Sequence, residues 1–493
     1  MRALILMFVV SAVAACGPSN RADNCVGEAC NTGTCDPNMT RDCYTGHMDT
    51  EGVGPCTGGT QMCLASGEWG NCVGEVKPVG EVCGDNVDNN CNGMIDENID
   101  ADGDGYTTCG GDCCDSTECS EPGKVNPGAF DAPGNGVDDD CNGVIDDTVG
   151  LCDQNLTSNT PDAMDYAKAI DLCQTTTMAE QKWGVLDAKL SYPDGTGVPD
   201  TNSHSIRHKF GTGTMPQGGL SFALLSSGVA ASKGDTNPAY HAWVSYSSTN
   251  SSGFPADFVT ANGGSLPNAP GCPAPADTSA NDPVMLTLHV RVPSNAHSFS
   301  IKSNFYSAEF PEWTCSAFND FFVILLDSTY AGSPANPTDK NLAFYTQPNT
   351  TNNYPVGVNL AYGNTGLFTQ CTNGATGCSG TAGTISTCVG TSDLAGTGFD
   401  DPASGECDAD SLTGGATGWL TTTGNVVPGE IITVRIAIWD TSDHAWDSLA
   451  LIDAFTWSVD AAQPGTVISR EAENGGTRPL NLSHETGLAR PLE

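Results

Sequence analysis

Ile431-Ile432-Thr433-Val434-Arg435-Ile436-Ala437-Ile438 sets Ile432, Val434, Ile436 and Ile438 at alternate positions, with Thr433, Arg435 and Ala437 between them. Side chains of an extended strand point to opposite faces in turn, so this run reads as a strand with one face in a core. Residues 284–292 partly alternate in the same way. Residues 220–225, 299–306, 321–326 and 454–459 are strand-like runs of branched and aromatic residues, separated by long Gly/Ser/Thr/Asn loops. One helix start precedes them: Thr160 as cap, Pro161 at the first helical position and Asp162 in the first turn, ahead of Ala163-Met164-Asp165-Tyr166. Residues 155–460 therefore read as a β-sandwich with one early helix, in a chain that is mainly β. Residues 461–493 are polar and unpatterned and read as a flexible tail.

The segment before the sandwich has a different texture. Residues 81–153 hold 19 acids, one Lys and no Arg, close to half of the chain's net charge of −41. The acids are patterned. Asp88-Asn89-Asn90-Cys91-Asn92-Gly93-Met94-Ile95-Asp96 recurs as Asp138-Asp139-Asp140-Cys141-Asn142-Gly143-Val144-Ile145-Asp146, and Asp100-Ala101-Asp102-Gly103-Asp104-Gly105 has the same opening. Oxygen side chains at loop positions one, three and five, with Gly at six, suit calcium. The candidate ligands are Asp88, Asn90, Asn92 and Asp96; Asp100, Asp102 and Asp104 with Asp112, and Asp115 beside it; and Asp138, Asp140, Asn142 and Asp146. Position twelve is Ile99, Gly111 or Val149 in place of a bidentate Glu, and no flanking helix pair is evident. These are EF-like loops without the EF fold, with an expected affinity on the order of 0.1–1 mM. Three Asp converging without a cation would repel one another by roughly 3 kcal/mol per pair.

Composition narrows the setting. Eighteen Lys and Arg against 59 Asp and Glu leave no basic surface for nucleic acid. An apolar run, residues 3–10, follows Arg2 and ends in Val13-Ala14-Ala15-Cys16-Gly17, which reads as an export signal over residues 1–15. The 23 Cys then belong to an oxidising compartment. Setting Cys16 aside leaves an even number, with 16 from Cys25 to Cys173 and six from Cys272 to Cys407. Each group can pair internally; the connectivity stays open. Residues 16–42 read as a tether and 43–82 as a Cys-rich module too poor in aliphatics to fold unstapled. Residues 61–64 and 68–72 of that module read as two short strands. Residues 83–153 form the acidic repeats.

The residues around Cys16 resemble a bacterial lipoprotein signal, which implies a lipidated Cys16, an anchor without a membrane span and, with Gly17 next, the outer membrane. Asp100-Ala-Asp-Gly-Asp-Gly-Tyr106, Cys109-Gly-Gly-Asp-Cys-Cys-Asp115, Val125-Asn-Pro-Gly-Ala129 and Asn135-Gly-Val-Asp-Asp-Asp-Cys-Asn-Gly-Val-Ile-Asp146 resemble the MopE-type metal-binding repeat of myxobacterial surface lipoproteins. That family is named for a copper-binding protein. Copper favours imidazole, and no His lies between Glu75 and Asp153, so calcium is the expected ion. Residues 305–322 and 436–457 resemble the two signature stretches of the choice-of-anchor L domain, with coverage of about 160–460. That resemblance implies an exported surface protein and assigns no reaction.

Those two stretches hold a second candidate site: Glu309, Glu312, Asn319, Asp320, Asp440, Asp443, Asp447 and Asp453. They are oxygen ligands beside aromatics, suited to an ion or a glycan, and equally to hydrogen bonds that fix long loops. No H-E-x-x-H, G-x-S-x-G or P-loop occurs. His204-Ser-Ile-Arg-His208 has metal-ligand spacing for a helix, but nothing caps a helix there, so it reads as a loop or strand. The expectation is a non-catalytic, calcium-binding surface lipoprotein that presents its sandwich to a glycan or surface protein. The alternatives are a glycan hydrolase using Glu309 and Glu312, and a copper scavenger.

Overall fold

The computed structural model describes residues 35–79, 82–98, 100–115, 121–147, 150–244, 246–275, 278–363, 365–374, 376, 387–401 and 414–469. The signal segment, Cys16 and most of the tail lie outside them. The chain divides into two compact units, one reaching Ala101 and including Gly105–Asp115, the other comprising Asp102–Asp104 and the chain from Ser116.

In the first unit, β1 (Thr40–Cys43) pairs antiparallel with β2 (Gly59–Met62). Residues 68–72, expected as the partner of this strand, contribute one isolated bridge, Cys63 to Trp69. Cys35–Cys63, Cys43–Cys72, Cys56–Cys91 and Cys83–Cys109 staple the unit. Residues 35–42 are thus tied into the Cys-rich module, a correction to the tether. The division between units falls inside the span read as one acidic module.

The second unit is a two-sheet sandwich. Its strands are β3 (Gly184–Ser191), β4 (His204–Arg207), β5 (Phe222–Ser226), β6 (Ser251–Ser252), β7 (Ala280–Arg291), β8 (Ser298–Ser307), β9 (Phe321–Asp327), β10 (Phe344–Thr346), β11 (Asn353–Pro355), β12 (Gly415–Asn425), β13 (Ile431–Asp440), β14 (Ser448–Ser458) and β15 (Gly465–Ile468). One sheet runs β15-β12-β8-β14-β5-β4, the other β3-β7-β13-β9 with β6 beside β7; β10 and β11 form a separate hairpin. All these pairings are antiparallel. The protein is therefore mainly β, as its alternating runs imply.

Leu286, Leu288, Val290, Ile432, Val434, Ile436 and Ile438 from one sheet meet Leu225, Ile301, Phe305, Leu420 and Ile452 from the other in the main core. The outer faces are covered too. Phe222, Leu224, Tyr306 and Leu451 pack with Phe210, Trp243 and Phe399, and Met285, Val323, Leu325 and Trp439 pack with Phe258. This is why residues 321–326 are continuously apolar: a strand buried on both faces has no polar side to alternate.

Three expectations change. The early helix, α1 (Ala163–Lys168), is capped by Asp162, whose carboxylate accepts the Met164 N–H, so Thr160 and Pro161 precede it. A second short helix, α2 (Ala256–Ala261), is present. Residues 465–468 leave the expected tail and form edge strand β15, pairing Leu420 with Ile468 and Thr422 with Thr466. Strand β12, Gly-Ala-Thr-Gly-Trp-Leu-Thr-Thr-Thr-Gly-Asn, reads as loop by composition. Its glycines have positional reasons. Gly418 has φ 73° at a register shift, and a Cβ on Gly424 would lie 2.5 Å from Leu342 Cδ1. His204 and Arg207 lie in a strand, as the uncapped sequence suggests; His204 Nδ1 is 2.6 Å from the Tyr166 hydroxyl.

Ile436 is fully buried between the sheets. Ile436→Ala is expected to cost about 2–5 kcal/mol, read as a fall in the urea midpoint; a loss under about 0.5 kcal/mol, the size of a surface substitution, would place Ile436 outside the core.

Candidate metal centres

The two full repeats fold alike. Cys91 and Cys141 have φ 60° and 59°, Gly93 and Gly143 90° and 94°, Asp96 and Asp146 54° and 53°. Gly105 of the third loop has φ 95°, so the glycine at position six meets the same backbone demand in all three. In the first repeat Asp88 accepts the N–H groups of Asn92 (3.1 Å) and Gly93 (2.9 Å), and Asn92 Oδ1 accepts Met94 N–H at 2.8 Å. In the second, Asp138 accepts Asn142 (3.0 Å) and Gly143 (2.8 Å), and Asn142 Oδ1 accepts Val144 at 2.9 Å. Asn90 and Asp140 Oδ1 atoms accept the same position-five N–H.

Asp96 and Asp146 turn away from their loops. Asp96 accepts the N–H groups of Gly84 and Asn86, and Asp146 those of Gly134 and Asn135. The carboxylates that reach back to the loops are the next residues. Glu97 accepts from Asn90 Nδ2 at 2.7 Å and from Asn92 Nδ2, and Asp147 accepts from Asn142 Nδ2 at 3.3 Å. Burial, with the nearby charges of Asp147 and Asp131 adding to it, pushes the Asp140 carboxyl up.

The continuous loop 100–115 draws its acids closest. Asp100, Asp102 and Asp115 bring one oxygen each within 4.8 Å of one another, as do Asp102, Asp104 and Asp112. These are the only such groups of three among the described residues. Asp102 Oδ2 is buried and accepts no hydrogen bond. Asp112 and Asp115, eight residues or more beyond Asp104, lie beside the acids of this loop. All donors are oxygen, the set a hard divalent cation takes.

The second repeat is bonded into the sandwich unit. Phe130 N–H donates to Asn295 Oδ1 (3.0 Å), Asn295 Nδ2 to Phe130 O (2.8 Å) and Ser294 Oγ to Asn126 Oδ1 (2.6 Å).

The eight residues of the other candidate site do not stay together. Glu309 follows β8, Asp320 precedes β9, Asp440 ends β13 and Asp447 precedes β14, so strand ends from both sheets gather these four. All four are at most 2% exposed. Asp320 Oδ2 accepts the Ser448 hydroxyl at 2.6 Å, and Glu309 Oε2 accepts Asp320 N–H at 3.2 Å. Neither oxygen of Asp440 or of Asp447 accepts a hydrogen bond. Burial, and then the charges of Asp320 and Asp282, hold Asp440 far above the carboxylate range; burial and the charges of Asp440, Asp282 and Asp443 do so for Asp447. Asp443 is half-buried at the rim. Asp282 is a member that sequence reading missed. It sits near the start of β7 at φ 45°, accepts Ser248 N–H and pairs with His444 Nδ1 at 2.6 Å. Only its place before Pro283 in an apolar strand could have drawn attention to it.

The remaining residues separate. Asn319 accepts Asn359 N–H, and Glu312 is buried with neither oxygen hydrogen-bonded. Glu309 and Glu312, weighed as a glycosidase pair, are 2% and 3% exposed and have different neighbours. Asp453 accepts the N–H groups of Gln217 and of Gly218 (3.2 Å), near Asp171 and Asp153. It fixes a turn, the structural role of an acid near a strand end.

Residues 275–457 match the family model described as Choice-of-anchor L domain, and residues 79–97 and 122–147 match that described as "Putative metal-binding motif". No curated protein and no solved structure matches the chain significantly. The resemblances to the choice-of-anchor L domain and to the MopE-type repeat are borne out. The first match begins after β6 and so is shorter than the expected 160–460; loop 100–115 lies between the two segments of the second. Together they point to an extracellular or cell-surface protein that carries a metal-binding motif, its metal unspecified.

Two outcomes follow from the acids of the sandwich. Burial, with the Asp171 charge adding to it, pushes Asp453 up to about 8. In the unfolded chain this carboxyl ionises near its ordinary value, so its contribution to stability is full below roughly pH 4 and is lost as pH rises toward 8. The thermal midpoint in chelator should fall over that window, and Asp453→Asn should flatten the slope; an unchanged slope would refute it. A Cβ on Gly228 would stand 2.3 Å from Asp447 Oδ2. Gly228→Ala should therefore cost about 1–3 kcal/mol in denaturant melts, and a neutral result would show that Asp447 can move freely.

Proposed function

We propose that this protein is a non-catalytic cell-surface lipoprotein, held by lipid on Cys16, whose acidic module binds calcium and stiffens the support of a β-sandwich that contacts a glycan or a surface protein. The observation that carries the calcium reading is the convergence of Asp100, Asp102, Asp104, Asp112 and Asp115 in one loop, flanked by two conformationally matched repeats. The donor set has no imidazole, which favours calcium over copper. The bonding of 126–130 to Ser294 and Asn295 gives an ion in the second repeat a mechanical consequence for the sandwich.

Calorimetry on the metal-free full chain tests the ion. Calcium should bind at on the order of 0.1–1 mM, and Asp102→Asn with Asp138→Asn should lower the heat. No heat and no thermal shift at millimolar calcium would overturn the reading, and tighter copper binding would favour the scavenger. Cys16→Ser should move the protein from the membrane fraction to the soluble one; unchanged fractionation would remove the anchor.

A further inference from the structure

Acids in this sandwich usually have an evident structural task. Asp453 accepts two turn N–H groups, Asp153 accepts Leu220 N–H and the Ser221 hydroxyl, and Glu430 accepts from Ser328, Thr329 and Val427. Asp440 and Asp447 have none. Both are 0% exposed; neither oxygen of Asp447 has a hydrogen-bond partner, and Asp440 has only the Ser227 hydroxyl and the Asp320 carboxyl beside it. Among the described residues no Lys or Arg forms an ion pair with Glu309, Asp320, Asp440 or Asp447. The nearby His444 is engaged by Asp282. A buried carboxylate with neither cation nor donor is costly, and one such group alone is rare in a folded protein. Here two stand together with two more beside them, on strand ends contributed by both sheets.

We propose that this end of the sandwich is a divalent-cation site of the hard, oxygen-preferring class, with calcium as its ion, in which Asp440 and Asp447 are the primary ligands and Asp320 and Glu309 complete the acidic shell. The Ser227 hydroxyl, which lies beside Asp440, supplies a neutral oxygen. Calcium takes roughly six to eight oxygens in irregular geometry, whereas magnesium demands a tight octahedron and keeps its waters. Four carboxylates on four separate strand ends, gathered less closely than those of loop 100–115, would draw together around the ion. The ion would tie β8 and β14 of one sheet to β9 and β13 of the other, and the long loops 308–320 and 441–447 would close over it. Gly228 is part of the site, because the Asp447 carboxylate occupies the space its Cβ would need. The site is independent of the acidic loops and of the ion they hold.

Terbium, a luminescent calcium substitute, tests the site on the full chain stripped of metal. Trp439 and Trp446 adjoin Asp440 and Asp447 in sequence, so tryptophan excitation should sensitise bound terbium, and calcium should compete it away. Asp440→Asn with Asp447→Asn should abolish that signal, while Asp102→Asn with Asp138→Asn should leave it, which separates this site from the acidic loops. Asp447→Asn alone guards against misfolding: it replaces a buried, unpartnered carboxyl with a neutral amide of the same shape, so its thermal midpoint in chelator should equal or exceed that of the unsubstituted protein, while the rise on adding calcium shrinks. A sensitised signal that survives the double substitution, or a calcium-induced rise that is unchanged in Asp447→Asn, would overturn the proposal.

Discussion

Too many carboxylates for the available cations is the constraint on which this structure turns. Eighteen Lys and Arg cannot pair 59 acids, so most acids must face water, accept hydrogen bonds or share a bound cation. The few cations are used economically. Arg435 and Lys340 both bridge Asp257 and Asp327, which ties α2 to β9 and β13. Against the opposing effect of burial, the two cations hold Asp257 well below the carboxylate range. No comparable cation reaches the carboxylates at the sandwich end among the described residues. In a low-dielectric interior a divalent ion would resolve that imbalance, since one ion meets several carboxylates at once.

The same constraint shapes the N-terminal unit by another route. A segment so acidic and so poor in aliphatics cannot fold by burial alone. Its described bridges, Cys35–Cys63 to Cys83–Cys109, limit the unfolded chain, and loop N–H groups satisfy the acids. The repeated αL cysteines, Cys91 and Cys141, show how both devices meet: the disulfide residue sits inside the acidic loop, so the covalent bridge and the N–H groups that bond Asp88 and Asp138 act on the same turn.

Much of the fold was legible because local pattern and tertiary environment agree. The alternation at 431–438 and 284–292 reports the half-buried faces of two paired strands. Composition misled where packing overrides propensity. The Gly- and Thr-rich 415–425 is a strand between two others because its missing side chains let Leu342 and a bulge fit. The segment 465–468 is ordered because β12 offers a free edge. In the acidic loops the repeated turn and the glycine at position six were legible, whereas the turning of Asp96 and Asp146 toward upstream N–H groups depends on loop conformation.

By itself the sequence determined local chemistry: strands by alternation, a metal-binding motif by the spacing of its acids, a stapled module by its cysteines. These depend on neighbours a few residues apart. Only the tertiary structure decided which acids share an environment. Asp282 joins Asp440 and Asp447, while Asp453, six residues past Asp447, serves a turn at Gln217 instead. The physical reason is that a carboxylate's role is set by burial and by the groups that face it, and both are delivered by strand ends from two sheets that are far apart in the chain.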